Sequence, residues 1–93
     1  MTAAPSGTAK PRLARGVRLQ QDKARGGYVL LAPERVLEAN GTAVAVIELC
    51  DGERTLVEIV DILASRFPVD RERVASEVEM LLRDLATKRM VEL

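Results

Sequence analysis

The stretch Leu49-Cys50-Asp51-Gly52-Glu53-Arg54-Thr55-Leu56-Val57-Glu58-Ile59 reads as one helix ending, a tight turn and a second helix starting. Gly52 suits the positive φ that closes a helix C-terminus. Thr55 stands at an N-cap position and Glu58 follows three residues later. That Thr-x-x-Glu pattern is a capping box, in which each side chain accepts a hydrogen bond from a backbone N–H that the helix leaves free. A helix–turn–helix at the centre of a 93-residue chain points to docking more than to catalysis.

Downstream, apolar residues at helical spacing (Leu56, Ile59, Val60, Leu63 and Phe67) predict a second helix over Leu56 to about Phe67, ended by Pro68. Asp70 suits the N-cap of a third helix, whose apolar stripe is Val74, Val78, Leu81, Leu82 and Leu85. Lys88 and Arg89 fall in its last turn, where cations complement the helix dipole. Met90–Leu93 reads as a short strand.

Upstream, Ala43, Val46, Ile47 and Cys50 form the buried stripe of a first helix over Thr42–Cys50. Before the Asn40-Gly41 turn the period changes to two. Val17–Gln21 alternates as a half-buried strand, a glycine-bearing turn follows, and Tyr28–Ala32 completes a hairpin. Pro33 stops it, and Arg35–Ala39 reads as a third strand. The expected fold is α+β and winged-helix-like: a three-stranded N-terminal antiparallel sheet packed on a three-helix bundle, spanning residues 16–93. Residues 1–15, rich in Ala, Pro, Ser, Gly and Thr without apolar periodicity, read as a disordered tail or linker.

A chain this short buries one small core. The apolar content is 47%, but Tyr28 and Phe67 are the only aromatic residues, so the core must be aliphatic. Net charge is zero, yet residues 1–27 hold six basic side chains against one acid, net +5, and residues 28–93 carry −5. Cys50 is the only cysteine, which excludes an internal disulfide; it falls on an apolar helix face as a small core residue. Absence of disulfides fits a reducing cytoplasm. No apolar run approaches the roughly 18 residues of a membrane span, and no signal-peptide pattern is present.

Several chemistries are excluded. Without histidine or a second cysteine, no ordinary zinc site can be built. Ser65 and Ser76 lack a histidine partner for nucleophilic catalysis. Gly26-Gly27 lacks the spacing of a phosphate-binding loop. Carboxylates such as Glu72, Glu77 and Glu79 spread along an amphipathic helix, as a solvated face does. A phosphopantetheine carrier would need a serine where Glu53 stands. The chain is read as non-enzymatic, with no cofactor and no metal.

Two binding functions then compete. In a winged-helix DNA-binding transcriptional regulator, the third helix would enter the major groove. From Asp70 to Arg89 it holds five bases and five acids, a poor match to a polyanion. The alternative uses the sheet: a free edge presents unpaired N–H and C=O groups to which an extended peptide can add as a strand. Arg35, Val36, Leu37, Glu38 and Ala39 would form that edge. Val74, Ala75, Val78 and Leu82 of the third helix would pack on the peptide, and Arg71 and Arg73 would pair with its acidic residues. A monomer is favoured, although the same edge permits pairing with a second copy.

The residues resemble the PqqD family of pyrroloquinoline quinone (PQQ) biosynthesis, from about Pro11 onward. The similarity runs through Tyr28-Val29-Leu30-Leu31, then Ala39-Asn40-Gly41-Thr42-Ala43, then Leu-Cys-Asp-Gly-x-Arg-Thr over Leu49–Thr55, then Glu58-Ile59-Val60 and Leu81-Leu82-x-x-Leu85. Ala39 stands where the family usually has Leu, and Leu81 where Phe is common. The resemblance implies a recognition element for ribosomally made, modified peptides. As a peptide chaperone and adaptor it would bind the precursor peptide PqqA and present it to the radical S-adenosylmethionine enzyme PqqE, which cross-links a Glu and a Tyr of the peptide. Some members are fused to the oxidase that completes the cofactor, and the N-terminal tail would suit such a linker.

Overall fold

Residues 7–93 are described by the computed structural model. Alternating residues build the sheet. Strands β2 (Arg18–Gln21), β3 (Tyr28–Ala32) and β4 (Arg35–Ala39) follow a short β1 (Arg12–Leu13), and they pair antiparallel in the order β2-β3-β4. The β2–β3 turn is held by Asp22, whose Oδ1 accepts from the N–H of Ala24 at 3.1 Å and of Arg25 at 3.2 Å. Gly26 and Gly27 complete it at φ 82° and 79°, a region that side chains rarely adopt. Pro33 and Glu34 join β3 to β4, and Leu30 sits opposite both Leu19 and Leu37. Directly opposed residues share a face, so this row points to the helices and Leu30 is buried.

Three helices follow: α1 (Gly41–Ile47), α2 (Leu56–Arg66) and α3 (Arg71–Thr87). Asn40, expected as a turn residue, is the N-cap of α1 and its Oδ1 accepts from Ala43 N–H at 2.8 Å. The expected helix over Thr42–Cys50 stops early. Leu49 and Cys50 donate instead to Val46 and Ile47, a tightening into i→i−3 bonds. Gly52 does take φ 79°, but it closes the turn rather than the helix, and a Cβ there would meet Arg12 Cβ at 3.3 Å.

The capping box of α2 is present as expected. Thr55 Oγ1 accepts from Glu58 N–H at 3.2 Å, and Glu58 Oε1 accepts from Thr55 N–H at 2.9 Å. The neighbouring free donors are used as well: Leu56 N–H reaches Ala9 O at 2.8 Å and Val57 N–H reaches Gly7 O at 3.2 Å. This overturns part of the expected tail. Residues 1–6 lie outside the described residues, but from Gly7 the chain packs on α2 and Pro11 is buried. Arg12 and Leu13 pair with β5 (Val91–Glu92), with Arg12 bound to Glu92 at 2.7 Å. The folded unit therefore begins before residue 16.

Other expectations need correcting at the helix ends. Asp70 is at the N-cap of α3 but its side chain makes no capping bond. Lys88 is the C-cap and Arg89 lies beyond it at φ 61°. Arg89 N–H donates to Ala86 O at 3.0 Å and Met90 N–H to Leu85 O at 2.9 Å, the pattern of a Schellman ending. Phe67, expected on the buried face of α2, is its C-cap and is 42% exposed. The core is aliphatic as composition required, running from Leu30 through Val46, Ile59, Leu63 and Val78 to Leu82 and Met90.

Candidate functional site

Strand β4 is an edge: its one neighbour in the sheet is β3. The loop between them is two residues, so Ala32 and Arg35 close the hairpin as a hydrogen-bonded pair. Bonded and non-bonded pairs alternate along an antiparallel ladder. Arg35, Leu37 and Ala39 therefore spend their backbone groups on β3, while Val36 and Glu38 turn theirs outward. The outward row is two N–H and two C=O groups with no sheet partner, the chemistry to which an extended segment adds.

Beneath this edge lies an apolar groove. Its walls are Leu30, Leu37 and Ala39 from the sheet, Ala43 and Ile47 from α1, and Leu81, Asp84, Leu85 and Lys88 from α3, around about 170 Å3. Asp84 and Lys88 neutralise each other across 2.8 Å. A second cavity of about 160 Å3 opens between α1, α2 and α3, where Val74, Glu77 and Val78 face Thr42, Val46, Leu63 and the Phe67-Pro68-Val69 loop.

The structure thus divides the residues singled out from sequence. Leu37, Glu38 and Ala39 line the groove. Val36 stands 63% exposed on the outer face, and Glu38 is paired with Arg25 at 3.4 Å. Arg35 is exposed and makes no ion pair among the described residues. Val74 and Val78 line the second cavity rather than the β4 groove. Arg71 is bound to Asp61 of α2 at 2.7 and 2.9 Å, so it faces α2. Ala75 and Leu82 share that face at i+4 and i+11; Leu82 is 0% exposed, and neither residue lines the groove or the cavity. Arg73 pairs with Glu77 at 3.5 Å. The groove also takes Leu30, Ala43, Ile47, Leu81, Asp84, Leu85 and Lys88, which the sequence reading had not singled out for the site. For Leu81 and Leu85 the signal was the α3 stripe itself, which continues from Val74 and Val78; which half of that stripe meets β4 depends on tertiary packing.

The Leu49–Thr55 motif has a different job. Asp51 Oδ1 accepts from Glu53 N–H at 2.9 Å and Arg54 N–H at 3.0 Å, and Oδ2 binds the Arg54 guanidinium at 2.6 Å. Those backbone bonds, Arg54 first, hold the Asp51 carboxyl below its ordinary value. Glu58 is lowered in the same way by its bonds to Thr55. Burial, with the Asp51 charge beside it, pushes the Cys50 thiol up to about 12, so it stays protonated and is a poor nucleophile. Among the described residues no group of three or more His, Cys, Asp or Glu is placed to hold a metal ion, and no helix is long and apolar enough to cross a membrane.

Comparison with known proteins gives the family. Residues 27–91 match the family described as Coenzyme PQQ synthesis protein D (PqqD). A PqqA binding protein from Rhizobium meliloti is 42% identical over 88 residues, covering 95% of this chain and 90% of that one. The solution NMR structure of the PqqD truncation of Methylobacterium extorquens PqqCD, described as a functional, stand-alone recognition element for ribosomally synthesized and post-translationally modified peptides, superposes with a TM-score of 0.83. It is 42% identical and covers 97% of this chain and 96% of its own. Lasso peptide synthetase B1 complexed with its leader peptide has a TM-score of 0.77 over 91% of this chain and 100% of its own, at 21% identity, a likeness of fold alone. By the extent of the family match and the identity along nearly its whole length, this chain belongs to the PqqD family.

Proposed function

We propose that this chain is a non-catalytic peptide chaperone and adaptor of PQQ biosynthesis. It binds the precursor peptide PqqA by strand addition to β4 and presents it to the radical S-adenosylmethionine enzyme PqqE in the cytoplasm. One observation carries the reading: the unpaired backbone row at Val36 and Glu38 stands over an apolar groove. Backbone hydrogen bonds along β4 give affinity with little regard to sequence, and Leu37, Ala39, Leu81 and Leu85 receive the side chains that point inward. The PqqA binding protein of Rhizobium meliloti supports the choice of peptide. The contacts expected of Arg71, Ala75 and Leu82 are not retained, because those residues face α2. A winged-helix-like reading of the fold would suit DNA as well, but Arg71, Arg73 and Lys88 are tied to Asp61, Glu77 and Asp84, which lowers the uncompensated charge that binding to phosphate needs.

Titration of 15N-labelled protein with synthetic PqqA tests the reading. Amide shifts should concentrate on residues 35–39, the start of α1 and Leu81–Lys88. Addition of PqqE to that complex should yield a three-component species in size-exclusion chromatography. Saturating peptide with no shift in residues 35–39 removes strand addition.

A further inference from the structure

Strand addition leaves the cavity between α1, α2 and α3 unused. Phe67, the chain's one phenylalanine, stands 42% exposed on its wall, and Val69 is 41% exposed beside it. Exposed aromatic and aliphatic groups beside an apolar opening offer a place where an apolar side chain can be received.

What covers it follows from continuity with the β4 groove. The two openings flank the same turn of α1: Thr42 lines the cavity and Ala43 lines the groove. They also share one row of α3, with Val74 and Val78 in the cavity and Leu81 and Leu85 in the groove. A segment leaving β4 at Ala39 therefore meets the cavity after crossing a helix about 10 Å wide, the reach of about three or four extended residues.

Resting on the strand-addition reading, we propose that this cavity is a second anchor site, receiving one apolar side chain of the same precursor peptide. Its volume, about 160 Å3, suits a group between leucine and phenylalanine in size, since an apolar cavity of about 150 Å3 admits a benzene ring. The one charged lining residue, Glu77, is paired with Arg73, so the mouth offers a neutralised pair and favours an uncharged occupant. The division of labour is then spatial: the β4 edge holds backbone, and the cavity chooses a side chain.

Equilibrium binding of fluorescein-labelled synthetic PqqA to the whole chain tests this, with alanine placed at each apolar position of the peptide in turn. Val74→Phe fills the cavity, and Phe67→Ala removes part of its wall from an exposed position. Each should weaken binding by about tenfold, the scale of one buried apolar side chain. One peptide alanine should cost a similar factor against the unaltered protein and nothing further against Val74→Phe. Folded variants that bind at full affinity, or a peptide alanine series with the same losses against both proteins, overturn the inference. Phe67→Ala decides alone if Val74→Phe does not fold. Failure of the unaltered protein to bind PqqA removes the strand-addition reading and this inference together. Loss in Val36→Pro, with Val74→Phe and Phe67→Ala unaffected, removes only the inference.

Discussion

The N-terminus of α2 and the edge at β4 treat backbone hydrogen bonding in opposite ways. At α2, Leu56, Val57 and Glu58 donate to Ala9, Gly7 and Thr55, and Thr55 N–H is taken by Glu58. A helix start normally leaves such donors to solvent; here each has a protein partner. At β4, the backbone groups of Val36 and Glu38 face outward with no strand beside them. The first region is rich in sequence signal and is structural. The second is marked in sequence only by the proline and Asn40 that bound it, and it is where a ligand can add. A satisfied backbone has no further valence to offer a partner, so the strongest local motif and the proposed binding edge lie in different places.

The sharpest test of that division is Leu82→Ala. Leu82 belonged to the peptide site on sequence grounds, yet it is 0% exposed in the core. Truncation should destabilise the protein by about 2–5 kcal/mol, read from urea melts. Below the transition, affinity for PqqA should be unchanged. A large loss of affinity in the folded variant would return Leu82 to the site and blur the comparison.

The edge itself is broken by Val36→Pro. Proline is tolerated on an edge strand where its nitrogen faces solvent, so the fold should stay within about 0.5 kcal/mol of the parent, as for other surface changes. Peptide affinity should fall by about tenfold to a hundredfold, the worth of about 1–3 kcal/mol for a missing donor and a crowded edge. Leu37→Pro, one residue along, removes a β3–β4 ladder bond and should instead damage the hairpin. If Leu37→Pro folds normally and Val36→Pro does not, the assigned alternation is inverted.

Much of this architecture was legible in advance, for identifiable reasons. Strands β3 and β4 were located because Tyr28–Ala32 and Arg35–Ala39 are bounded by glycine, proline and Asn40. The α2 start was located because a capping box is local. What escaped was non-local. Strand β1 pairs Arg12 with Glu92 across 80 residues, and a two-residue strand has no period to read. Phe67 looked buried by spacing, but the helix ends there and turns it outward. The candidate site was half legible. An edge at 35–39 follows from strand order, whereas the uniform apolar row of α3 does not say that Leu81 and Leu85, rather than Ala75 and Leu82, stand near that edge.

Thr55→Ala probes the satisfied side. It leaves Glu58 N–H without its acceptor and should cost about 0.5–2 kcal/mol. Because Ala9 and Gly7 still hold Leu56 and Val57, the loss should fall toward about 1 kcal/mol or less. Urea midpoints decide; a Thr55→Ser variant, which keeps the acceptor oxygen, should recover most of the difference.

The smallest expected effect is a pH dependence confined to the same turn. Glu58 and Asp51 both have carboxyls lowered from their ordinary values of 4.5 and 3.8 by backbone N–H groups that bind the ionised form. A folded-state value below the unfolded one means that the unfolded chain binds more protons in this range. The contribution is therefore fully present above pH 4.5, begins to fade below it and is lost as pH falls through the lowered folded values. Glu58→Gln and Asp51→Asn should lower stability at neutral pH and flatten the decline below about pH 4.5, followed by urea melts at stepped pH. The N–H and C=O groups of β4 do not titrate over that interval. PqqA affinity, measured where the protein remains folded, should not follow this curve in the Glu58→Gln and Asp51→Asn variants. A matching shift in affinity would mean that the α2 turn and the β4 edge are coupled rather than separate.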